Sequence, residues 1–382
     1  MAPEAPILLP KKKASSVPFP KLGLKLSYLL NEFPGLCRGR VELEGKTTTD
    51  VNLQFQKKIT ETSKLSFCDY LNQLQPKHSA VGTATVFISH AWKYQFLDVL
   101  DALQNYFESE PDIIIWFDVF SVNQHADTEV DLDFDWWSHS FKSAIRDFGR
   151  TVMVLAPWQD PIPLTRGWCL FEIYSTIVTE SRFEVAMTKS SKEAFLKDII
   201  SDPDESINKM LATIDVAKSE CFKPEDKENI FNIVRKEVGM GKINTMIFER
   251  LQSWVIETTE AARNDDPDNL PLLHSLAELN LIQGQRGKAE PLFVNCLEQR
   301  RVKLGESHPD TLQSMIGLAR LYGVQGEYEK AEPLLGACVE QRRIALGEFH
   351  PDTLTTMNHL ANLLKQHGQG ERAESLYLTV LE

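Results

Sequence analysis

The stretch TVMVLAPWQDPIPLTRGWCLFEIY, residues 151–174, decides how this chain is read. Thr151, Val152, Met153 and Val154 make a short apolar run of the kind that forms a buried strand. A Pro-rich loop follows, and residues 164–179 then carry apolar side chains through a helical stretch. Glu172 is the one carboxylate within that stretch, one turn after Trp168. A carboxylate just past the C-terminal end of a strand sits where open α/β sheets place their ligands. Thr165 is the expected helix N-cap, and the helix N-terminus is expected to favour an anion nearby.

Working outward, the same alternation recurs. Residues 84–92 (ATVFISHAW), 112–120 (DIIIWFDVF), 151–157 and 182–188 (RFEVAMT) read as strands. Residues 96–107, 135–149 and 164–179 read as the helices between and after them. Continuous apolar runs suit strands covered on both faces, so the expectation is a parallel, flavodoxin-like α/β sheet over residues 83–188. Before it, residues 1–20 read as a disordered tail and 21–82 as a helical extension, with LKLSYLLNEF and LSFCDYLNQL as helical pieces. After it, residues 189–262 read as a helical connector broken at Pro203 and Pro224.

The last third repeats itself. Ala289-Glu290-Pro291-Leu292 returns at 331–334 and, loosely, at 373–376, a spacing of 42 residues. LGESHPDTL at 304–312 returns as LGEFHPDTL at 346–354, and Gly284, Gly326 and Gly368 keep the same period. Such a period means stacked helical hairpins that bury their apolar faces on one another. These residues resemble tetratricopeptide (TPR) repeats, and the HPDTL signature is similar to the kinesin light chain subtype. The resemblance implies an all-α solenoid over residues 263–382 that binds a protein or peptide. The repeat-equivalent Cys296 and Cys338 are expected to be small core residues. The last repeat stops at Glu382, partway through its second helix, which reads as a truncation.

The α/β segment also resembles a known family. Phe87-Ile88-Ser89-His90, the acidic Asp118 after the second of those strands, and Trp168-Cys169-Leu170-Phe171-Glu172 together resemble a Toll/interleukin-1 receptor (TIR) domain. The resemblance implies self-association and, in many such domains, hydrolysis of NAD to nicotinamide and ADP-ribose. It makes Glu172 the catalytic residue, with Ser89, Trp92, Asp118 and Trp168 on the substrate. NAD enters only as that substrate, and no resident cofactor or metal is implied. One carboxylate suffices because nicotinamide leaves NAD as a neutral molecule, while the sugar passes through a cationic state that a carboxylate stabilises. Trp168 is expected to share a helix face with Glu172 and wall the pocket. Ala91 and Trp92 stand where such domains often carry a basic residue, with Lys93 near.

The remaining features exclude other classes. The chain has 382 residues and a net charge of −13, which argues against a general nucleic-acid binder. No apolar run reaches membrane-spanning length. Six scattered cysteines without a CxxC pair argue against zinc and fit reduced thiols in a cytoplasmic protein. The acidic run from Asp127 to Asp135 lacks the Gly and Glu of a calcium loop, and no glycine-rich phosphate loop occurs. The combined reading is a cytoplasmic signalling or innate-defence protein with a partner-binding array and an NAD-cleaving module. The alternatives are a non-enzymatic scaffold and, from the repeat subtype, a transport adaptor.

Overall fold

A computed structural model describes residues 19–125, 134–159, 161–221 and 224–381. The N-terminal tail and the acidic run at 126–133 lie outside the described residues. The chain divides into two compact units, residues 1–195 with 208–254, and residues 196–207 with 255–382.

The first unit is built on a six-stranded sheet. Its strands are β1 (Leu22–Lys25), β2 (Val81–Thr83), β3 (Val86–Ser89), β4 (Ile114–Trp116), β5 (Arg150–Val154) and β6 (Arg182–Ala186), in the order β2-β1-β4-β3-β5-β6. The four strands read from the sequence are β3 to β6, and they run parallel. The expected wholly parallel sheet is corrected at one edge, where β1 runs antiparallel to both β2 and β4. The expected helical extension contains helices but also supplies these two strands. Periodicity misled because β1 is only LGLK, and Leu22, Leu24 and Leu26 pass without a break into the helix Leu26–Asn31. Gly23 is needed there because a side chain would run into the Ile115 carbonyl of β4.

All four residues of β3 are buried, as are the last four of β5, which accounts for their unbroken apolar character. The core between sheet and helices includes Val86, Ile88, Phe96, Leu100, Ile115, Phe120, Val152 and Val154. The helix Gly167–Val178 buries Cys169, Leu170, Phe171, Ile173, Tyr174, Ser175 and Thr176. An almost wholly apolar helix thus carries a single carboxylate.

The second unit contains six helices in successive antiparallel pairs, Leu270–Ile282 with Arg286–Leu304, Pro309–Gln325 with Tyr328–Leu346, and Pro351–Gln366 with Gly370–Leu381. The repeated HPDTL motif has a local reason. His308 and His350 are N-caps whose Nδ1 accepts the N–H of Asp310 and Asp352 at 3.2 Å. Pro309 and Pro351 occupy the first helical position, where the missing N–H costs nothing. Thr311 and Thr353 donate back to the carbonyls of Gly305 and Gly347. Arg300 donates to the Asp310 carbonyl and Ser314 Oγ at 2.7 and 2.8 Å, and Arg342 repeats this at the Asp352 carbonyl and Thr356 Oγ1. Cys296 and Cys338 are buried and donate to the carbonyls of Leu270 and Leu312.

Candidate functional site

The C-terminal ends of β3, β4 and β5 bring together most of the residues singled out in the sequence. Ser89 closes β3 and is buried. Its hydroxyl donates a short hydrogen bond to Glu172 Oε2. Glu172 keeps a partly open edge, but its carboxyl is desolvated. Burial pushes its pKa up to about 8; the Ser89 hydrogen bond pulls it down, nearby Asp118 pushes it up, and Arg166 pulls it down. Glu172 is therefore not a solvated helix residue.

Beside this pair lies a second cluster. Trp92 donates its indole N–H to Asp118 Oδ2 at 2.7 Å, and the Val119 N–H donates to Asp118 Oδ1 at 2.8 Å. His90 is buried, with Nδ1 3.9 Å from Asp118 Oδ1 and its ring edge-on to Phe117. Its Nε2 is buried without a hydrogen-bond partner among the described residues. Burial pushes the His90 pKa down, and the Asp118 charge offsets part of that. Among the described residues no group of His, Cys, Asp and Glu could hold a metal ion.

Two expectations are corrected here. Thr165 is not the N-cap of the Glu172 helix: it lies in a 3₁₀ turn and donates to the Ile162 carbonyl, and Arg166 takes the cap position without a side-chain bond. Nor are the first N–H groups of that helix open to an anion. Gly167 N–H donates to the Glu220 carbonyl at 2.9 Å, and the Cys221 sulfur lies against Gly167. Trp168 is held by its own partners: its indole N–H reaches Asp226 Oδ2 at 3.0 Å, and its ring packs edge-on to Phe141 and Phe171. Sequence reading missed Arg166, Cys221 and Asp226, because no motif links Cys221 and Asp226 to the helix they touch.

A cleft of about 740 Å³ lies elsewhere in this unit, lined by Ser27, Asn31, Asp101, Asn105, Lys189 and Glu193 among others; Ser89, Asp118 and Glu172 do not line it. In the second unit a smaller cleft of about 300 Å³ is lined by residues 326–330 and His367, which stacks on Tyr328. Arg320 spans one repeat to Glu278 at 3.0 Å, and burial drives the His274 pKa down to about 3 beside them.

Comparison with known proteins places the helical pairs. A tetratricopeptide-repeat family model matches residues 269–343 and 321–382. Residues 269–382 are tetratricopeptide repeats. Solved structures similar to half of the chain include BtubC (BKLC) from P. vanneervenii, at 17% identity, 70% of that chain and a TM-score of 0.31. They also include two structures of kinesin light chain TPR-like repeats from Podosopora anserina. These stand at 20% and 23% identity, cover 92% and 89% of those chains, and have TM-scores of 0.32 and 0.30. No curated protein matches the chain. Tetratricopeptide repeats expose surface for protein partners, and no helix among the described residues is long and apolar enough to cross a membrane.

Proposed function

We propose that the chain is a cytoplasmic signalling protein whose tetratricopeptide repeats bind a protein partner and whose TIR-like α/β unit self-associates and hydrolyses NAD. The observation that carries the catalytic half is the Ser89–Glu172 contact at the C-terminal ends of the strands. The parallel strands β4-β3-β5-β6 follow the second-first-third-fourth order of doubly wound sheets, and their direction of winding reverses between β3 and β5. Ligands of such sheets bind at that reversal, and Ser89 stands there.

In the resting protein Glu172 holds a proton. A cationic nicotinamide riboside entering the site favours the ionised form, and the proton passes to solvent. The carboxylate then faces the anomeric carbon as the C1′–N bond breaks. The bonding electrons leave with nicotinamide, water adds to the sugar cation, and its proton is released to solvent. Ser89 orients the carboxylate, and Trp92, locked on Asp118, walls the ribose side. Arg166 adds the positive charge that Ala91 and Trp92 do not supply for the diphosphate.

Nicotinamide release by the concentrated full chain tests this reading. Glu172→Gln is expected to lower kcat by about 10²-fold or more. Because the free carboxyl titrates near 8, kcat/KM is expected to climb with pH up to that value and level off above it. Release at the wild-type rate from Glu172→Ala would remove the assignment.

The second reading is a non-enzymatic scaffold. It is favoured by the neutral, hydrogen-bonded state of Glu172, which in a pure association module is simply a satisfied buried acid. It predicts no nicotinamide at any protein concentration and partner binding unchanged by Glu172→Gln.

A further inference from the structure

Residues 208–254 follow the α/β strands in sequence but belong to the same compact unit, and part of this segment grips the Glu172 helix from behind. Arg166 and Glu220 form a parallel bridge: Gly167 N–H donates to the Glu220 carbonyl, and Glu220 N–H donates to the Thr165 carbonyl, both at 2.9 Å. Cys221 then lies so close that a Cβ on Gly167 would come 2.5 Å from its sulfur. Asp226 takes the Trp168 indole at 3.0 Å. Further along the helix, Tyr174 donates to Glu237 Oε2 at 2.6 Å.

We propose that Glu220, Cys221 and Asp226 form a latch on the first turn of this helix, so that their seating or release sets the position of Glu172 against Ser89. The mechanism is geometric. Glu172 lies less than two turns beyond Gly167 on a rigid, buried helix, so any shift of the first turn carries the carboxyl with it. Gly167 is then a positioning residue, chosen because only hydrogen fits under Cys221. The coupling holds whether or not NAD is the ligand. Release would let water reach the carboxyl, and modification, a bound partner or strain on the connector could each supply it.

Cys221 also provides the reporter, because the other five cysteines are buried while Cys221 is half-buried. In the full chain, Gly167→Ala is expected to raise the rate of Cys221 alkylation by iodoacetamide about tenfold, and amide exchange across residues 168–174 by a similar factor. Adding Cys221→Ala removes the clashing sulfur and is expected to return that exchange to near the wild-type rate. Asp226→Ala, which leaves Gly167 untouched, is expected to raise both rates about threefold, and it carries the test alone if Gly167→Ala does not fold. In either variant the Glu172 carboxyl, followed by carbon NMR, is expected to titrate below its resting value of about 8. Faster alkylation with unchanged exchange and an unchanged Glu172 titration would make the segment a mere surface cover. Wild-type rates in both variants would equally overturn the latch.

Discussion

Glu172 is held neutral by burial, and neutrality makes it a stability determinant as well as a candidate catalyst. Its folded-state pKa lies near 8, above the ordinary 4.5, so the native state binds the extra proton. Its contribution is therefore complete below about pH 4.5 and is lost as pH rises through 8. His274 has the opposite sign. Burial, followed by the charges of Arg300 and Arg320, lowers it from 6.5 to about 3, so its contribution is complete above 6.5 and is lost on acidification. Melting followed from pH 6 to pH 9 should show Glu172→Gln resisting the alkaline loss, by about 1–3 kcal/mol at the upper end relative to wild type. Parallel curves for the two proteins would mean that the carboxyl is ionised in the folded state.

At the scale of the element, the repeats are joined by arginine. Arg300 is buried and satisfies a carbonyl and a hydroxyl of the next helical pair. Arg300→Ala should cost about 2 kcal/mol or more in chemical denaturation, because Ser314 and the Asp310 carbonyl lose their donor. Arg300→Lys should recover little, since an ammonium lacks the planar fork that reaches both acceptors. A loss below about 0.5 kcal/mol would show that water replaces the guanidinium.

Legibility in the sequence followed local pattern at this scale. The 42-residue period exposed the hairpins because identical contacts demand identical residues, as at His308 and His350 or Cys296 and Cys338. β3 to β5 were readable because buried strands are continuously apolar, and Ser89 and Glu172 because each ends or follows such a strand. β1 was not, since four residues merging into a helix leave no period to count. The contacts of Glu220, Cys221 and Asp226 with the Glu172 helix were not either: Glu220 bonds through its main chain, and neither Cys221 nor Asp226 stands in a motif that names its distant partner.

For the whole molecule, the two compact units carry different reporters. All seven tryptophans lie at or before residue 254, within the first unit, and the tetratricopeptide repeats have none. Tryptophan fluorescence therefore follows the α/β unit, while far-ultraviolet circular dichroism follows the helices of both units. Guanidinium titration is expected to give two non-coincident transitions by these probes. Superimposable curves would mean that the units unfold as one cooperative body.

The arginine joints have a consequence for how the array can change over time. Arg300 bonds the residues ten and fourteen positions ahead, and Arg342 does the same with the same offsets. Cutting out or duplicating one full period therefore regenerates the same splice, with donor and acceptors already matched. Not every joint follows the period: Glu278 and Arg320 are one period apart and differ, so a change in repeat number keeps the arginine splice but breaks that ion pair.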